Sequence, residues 1–231
     1  MDQTDREDFL HWFRKLRQIS GNLRFIMGGS VSIERVVRNA GGVTVINDFN
    51  RVRIGGVSRE IALDLIEKMF EDEGWKYESS FGDKILECIG ETNIPYFIAI
   101  MLSAIKEEII LKGGEMSAEF IEKIYNFRIL GNEGKHYFEH YHQRLRIYYD
   151  DLELKAAKAI LRNICNVDYY PIDLAYGIYK RETAIDNYEQ FMDLLADLSN
   201  DFYIEYNNEK GLNFYSKILK DWWRIYHGGI E

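Results

Sequence analysis

From residue 58 onward the apolar side chains recur at three- and four-residue spacing for most of the chain, and glycines interrupt the pattern. That period belongs to helices with one buried face, so the chain is constrained to be mainly helical. Ser58, ahead of Glu60 and Ile61, predicts an N-cap. Ile61, Leu65, Ile66, Met69 and Phe70 then fall on one face, and Gly74 ends the helix. Further helices are predicted over about 80–88, 95–111 and 117–130, separated by Gly90, Gly113-Gly114 and Gly131. They make a compact bundle of short helices over residues 57–132.

The two ends have other rhythms. Residues 133–231 predict helices at about 134–149, 152–163, 172–179 and 185–198. Residues 202–206 and 212–214 then alternate around a turn, which reads as a hairpin, and Ser216 caps a closing helix that carries Trp222 and Trp223. Three helices followed by a hairpin is the order of a winged helix-turn-helix. Residues 1–56 begin with a helix over 5–19, on which Phe9, Trp12, Phe13 and Leu16 share a face. Leu23 to Met27 reads as a buried strand, 33–39 as a helix, and 43–46 and 51–54 as strand-like. This β-α-β fragment is too short to be a sheet domain alone. The expected fold is therefore mainly α with small β elements.

Charge and cysteine usage narrow the function. The chain carries 29 basic and 38 acidic residues, a net charge of −9, which excludes coating nucleic acid by bulk charge. The positive excess sits in residues 1–55. Cys88 and Cys165 each lie in an apolar helical pattern without a CxxC, as expected of reduced core thiols in a cytoplasmic protein. The apolar stretch from Ile94 to Ile105 is too short for a membrane span. No nucleophile motif such as G-x-S-x-G is present.

Several runs, in order, resemble the archaeal-type ATPases of the AAA+/STAND class (MNS clade). Leu23 to Ser30 is similar to their sensor-1 strand, which ends in Gly-Ser. Asn47-Asp48-Phe49, followed by Ile54, Val57, Ser58 and Glu60, resembles the approach to their helical lid. Glu91 to Tyr96 resembles the lid's Gly-x-Pro motif, with Asn93 at the glycine and Pro95 near the adenine. Phe214 to Arg224 resembles the signature that follows the wing. The resemblance implies a remnant of the ATPase core over 1–56, a helical lid over 57–132 and a winged helix over 133–231. It also implies ATP or ADP with magnesium as ligands of the intact family. The chain has no G-x-x-x-x-G-K-[ST] and no apolar run ending in Asp before the first helix. It thus lacks the amide cradle for phosphates and the carboxylate for magnesium, and no nucleotide is expected to bind tightly to it alone.

Ser30 is the first candidate site residue: at a strand end it would orient the attacking water or touch a γ-phosphate, or simply cap the helix that follows. Pro95 is the second, through the lid. Arg35, Arg38, Arg51 and Arg53 flank the strand; Arg38 is the candidate arginine finger, against the favoured reading of a solvated basic face. His136, His140 and His142 fall within one predicted helix; His136 and His140, four apart, could share a face and hold a metal, but no further ligand completes a site, surface histidines are the favoured reading and no metal is expected. The stretch from Thr183 to Asp201, meant to hold the recognition helix, carries Asp186, Glu189, Asp193, Asp197 and Asp201 and no lysine or arginine, so DNA is an unfavoured partner. Lys217, Lys220 and Arg224 would form a small basic strip on the closing helix.

These features lead to a regulatory fragment of an ATPase that senses nucleotide through Ser30 and the lid and contacts a protein partner or the missing ATPase core, alone or in an oligomer. The alternative is a DNA-binding winged-helix transcriptional module; a pure interaction scaffold is a third class. The purified chain is expected to show ATP turnover no higher than background in a phosphate-release assay. Turnover that Ser30→Ala abolishes would overturn this expectation.

Overall fold

Ser58 Oγ accepts the Ile61 N–H at 3.3 Å and starts helix α3, Arg59–Asp72. In the computed structural model, which describes residues 3–29, 33–38, 43–50, 52–113, 115–207 and 209–229, this cap opens the main body of the protein. Ala62, Ile66 and Phe70 form the buried stripe of α3, with Leu65 and Met69 half-buried beside it. Ile61 is 56% exposed, so the buried face is turned by about one residue from the expected one. Helices α4 (Ser79–Ile89) and α5 (Pro95–Lys112) pack on α3, and α6 (Ala118–Ile124) packs on α4 and α5. The expected single helix over 117–130 changes winding partway: α6 runs into a π-helical turn, Tyr125–Ile129, closed by Leu130 N–H donating to the Tyr125 carbonyl at 2.9 Å.

The C-terminal part follows without a break in the core. It comprises α7 (Lys135–Tyr148), α8 (Asp151–Ile164), α9 (Ile172–Thr183), α10 (Tyr188–Asn200), strands β1 (Ile204–Asn207) and β2 (Gly211–Phe214), and α11 (Lys217–His227). Asp150 and Glu153 form a reciprocal capping box on α8; Asn187 caps α10 and Ser216 caps α11. β1 and β2 pair antiparallel with Ile204 opposite Phe214. On its other side β2 is bridged by Tyr170, between α8 and α9: Tyr170 and Leu212 exchange both N–H···O bonds at 2.8 Å. One buried apolar cluster extends from Ala62 to Trp223, through the helices on both sides of residue 132. Trp222 and Trp223 point about 100° apart on α11, and both are buried at its centre.

The first region departs from expectation. Residues 22–29 form no strand and are exposed, with Ile26 fully so. Val43–Ile46 is a 3-10 turn rather than a strand, and 52–54 is irregular with Val52 and Ile54 exposed. Arg51 lies outside the described residues. A strand needs a neighbour for its backbone N–H and C=O groups, and the only strands among the described residues are β1 and β2, which pair with each other. The two expected helices do form, α1 (Gln3–Ile19) and the short α2 (Ile33–Arg38), around a small cluster of Val37, Val45 and Ile46, with Leu10, Ile33 and Phe49 against it. Arg17 holds α1 to this unit: it donates to Asp48 and to the Val45 carbonyl, with Phe13 and Phe49 under its guanidinium.

The buried stripe of α3 sets a stability test. Ile66→Ala should cost about 2–5 kcal/mol in chemical denaturation, while Ile61→Ala should change the midpoint little. Equal losses would mean that α3 packs through a different face.

Candidate functional site

Of the arginines predicted to be a solvated basic face, Arg35, Arg38 and Arg53 instead join the N-terminal region to the main body. Arg35 is buried. Its Nη1 donates to Asp197 Oδ2 at 2.6 Å, its Nη2 to Glu153 Oε2, and its Nε to the Tyr148 carbonyl at 2.9 Å. Its guanidinium carbon lies 3.5 Å from the centre of the Tyr149 ring. Arg38, the candidate finger, donates to both oxygens of the same Asp197, at 3.1 and 3.4 Å, and remains partly exposed. Both arginines of α2 are thus committed to α10, and Arg38 holds a carboxylate of its own chain.

Local structure sets this geometry. Asp150 caps α8 with its side chain, which places Glu153 in the first turn with one oxygen near the Asp150 N–H. Tyr149, the residue before the cap, turns its ring inward and donates its hydroxyl to Asp201 Oδ2 at 3.2 Å. Asp197 is 1% exposed, on the face of α10 that also buries Leu194 and Leu198. Burial pushes its carboxyl up and outweighs the pull of Arg35 and Arg38 in the other direction. Burial likewise raises the Tyr149 hydroxyl far above its ordinary value, so it acts as a donor.

Asp197 and Asp201 therefore leave the acidic outer surface expected for residues 183–201. Asp186 also has partners, the Tyr176 hydroxyl at 2.7 Å and Lys180 at 3.6 Å, which leaves Glu189 and Asp193 on the open face of α10. The cations of the expected basic strip on α11 are paired as well. Lys217 and Arg224 both hold Asp221, and Lys220 holds Asp168.

Ser30 lies outside the described residues. Pro95 stands exposed at the first turn of α5. Just before it, Asn93 adopts a left-handed conformation, φ 45°, and its carbonyl accepts the Val57 N–H at 3.1 Å while its Nδ2 donates to the Val57 carbonyl at 3.3 Å. Residues 53–57 form a strap. It starts at Arg53, which donates to the Ser199 carbonyl and covers the Phe202 ring, and it ends at this loop. No hydrogen bond among the described residues links the loop before Pro95 to Arg38.

The three histidines diverge. His136 bonds the Glu133 carbonyl, His140 lies edge-on to Tyr96, and His142 stacks on His227 of α11, with ring centres 4.2 Å apart. Among the described residues no three His, Cys, Asp or Glu side chains are placed to hold a metal. Both cysteines are free and buried, and burial pushes the Cys88 thiol up to about 11, which suits packing rather than attack. No helix among the described residues is long and apolar enough to cross a membrane. An open cleft of about 710 Å³ lies between α10, the hairpin and Arg53, lined by Ser199, Glu205, Asn207 and Lys210 among others. Compared with known families, with curated proteins and with solved structures, the chain has no match.

The histidine stack gives a pH test. Burial, then the neighbouring His227, Lys158, Arg146 and Lys135, lowers the His142 pKa from 6.5 to about 4. His227 is lowered too, first by burial, although Glu139 acts in the opposite direction. Between pH 6.5 and 4 the unfolded chain binds more protons than the folded one, so stability is complete above that window and declines as pH falls through it. The loss from His142 should reach about 1–3 kcal/mol at its lower end. His142→Phe keeps a ring on His227 and should flatten the decline in urea midpoint; an unchanged slope would place the titration elsewhere.

Proposed function

We propose that the chain is the nucleotide-sensing, regulatory C-terminal region of an AAA+/STAND-type ATPase, inactive alone. In this reading α3 to the π-helical turn are the lid, and α7 to α11 include a winged helix used for protein contact. The observation that carries it is the bridge between Tyr170 and Leu212. It adds a strand residue between α8 and α9, so the order becomes helix, strand, helix, helix, hairpin, which is that of a winged helix. Asn93 supports the lid assignment. It stands where the Gly-x-Pro motif has glycine, and it holds the left-handed backbone that glycine favours and asparagine tolerates.

The shared apolar cluster supports the mechanism. Nucleotide held by the ATPase core would be sensed at Ser30 and clamped by the lid around Pro95. The lid and the winged helix, packed through one core, would then turn together. Residues 22–29 lack a strand partner here because, in this reading, their neighbours belong to that core. The charges favour a protein over DNA: the cations of α11 are already paired, and the open face of α10 presents Glu189 and Asp193.

Two observations test the reading. The reading frame upstream of Met1 should encode a Walker A and a Walker B motif; a frame without them would remove the ATPase assignment. Fluorescence anisotropy with duplex DNA should show no salt-sensitive binding at physiological salt. Sub-micromolar, salt-sensitive binding would replace the protein-contact role with the transcription-factor role.

A further inference from the structure

The N-terminal unit and the main body have separate apolar clusters, and α1, α2 and the 3-10 turn pack chiefly on one another. What joins the two is polar: Arg35 and Arg38 on Asp197, and Arg53 on the Ser199 carbonyl. The receiving side of Arg35 is more than an acidic patch. It offers two carboxylates from two different helices, a backbone carbonyl, and the Tyr149 ring, whose centre lies 3.5 Å from the guanidinium carbon. Each of the three guanidinium nitrogens has its own acceptor. Lysine, with a compact ammonium and no planar fork, cannot use this set.

We propose that Glu153, Asp197, the Tyr149 ring and the Tyr148 carbonyl form an arginine-recognition pocket, which Arg35 fills in cis and which an arginine of a partner protein enters by displacing α2. The ligand class follows from the acceptors: a planar cation with several donors on a polypeptide segment, as the resident Arg35 itself demonstrates. Exchange is feasible because α2 has only six residues and none of its described side chains belongs to the main apolar cluster. Release would expose Asp197, a buried carboxylate that needs a new cation, so the vacated pocket selects a replacement guanidinium. The inference concerns a site apart from any nucleotide and holds whether or not an ATPase core exists.

The test uses the full chain and a peptide copying Ile33–Arg38. Arg35→Ala opens the pocket, and this variant should bind the peptide. The same peptide with lysine in place of Arg35 should bind at least about tenfold more weakly, because the fork and stacking contacts are lost. Equal binding of both peptides, or no binding of either by a folded Arg35→Ala chain, would overturn the proposal. Should that variant fail to fold, hydrogen exchange on the unaltered chain decides. N-acetyl-arginine amide should speed exchange of the α2 amides several-fold over N-acetyl-lysine amide at equal ionic strength. Equal effects of the two would overturn it.

Discussion

The two halves of the main body meet on α11, which packs against α4, α7, α8 and β2. Its adjacent tryptophans are both buried, which is possible only if the helix is covered on two sides. Trp222 lies against Phe138 of α7, and Trp223 against Tyr203 and Phe214 at the hairpin. Asp221, the residue before them, is buried as well and accepts from the Tyr125 hydroxyl, Lys217 and Arg224. One helix therefore ties the π-helical turn, α7 and the hairpin into a single core. A buried carboxylate with three donors is costly to strip of any one of them, because the charge remains without full compensation.

The main body was largely legible from the sequence because its signals are local. Ser58 and Ser216 announce caps, and the three- and four-residue spacing announces buried stripes. In the N-terminal region the two helices were legible but the strands were not, because an apolar run such as Leu23 to Met27 becomes a strand only where another strand receives it, and pairing is non-local. Val43 to Ile46 failed for a related reason: β-branched residues suit a strand, yet here a tight turn brings Val45 and Ile46 onto Val37.

The arginine joint left a trace that could have been followed. Asp197 follows Leu194-Leu195-Ala196 and precedes Leu198, and Arg35 lies two residues from Ile33 and from Val37. A charge placed on an apolar face needs a partner of opposite sign, and these two charges answer each other across 162 positions. Counting Asp197 and Asp201 as outer acids ignored their place on the helix. The pairing itself could not be read, since nothing in a single sequence says which buried cation meets which buried anion.

Two glycines set a limit of another kind. A Cβ on Gly56 would stand 1.4 Å from the Thr92 carbonyl oxygen, and one on Gly90 would stand 2.6 Å from the Lys217 Cβ. Side chains can repack around a changed neighbour, but main chain pressed on main chain has no rotamer to yield. The strap at Gly56 and the seam between α4 and α11 at Gly90 are therefore two of the places where the fold has little room to drift. Its outer helical faces can diverge until little family likeness remains, while these two positions keep their lack of a side chain as long as the architecture itself survives.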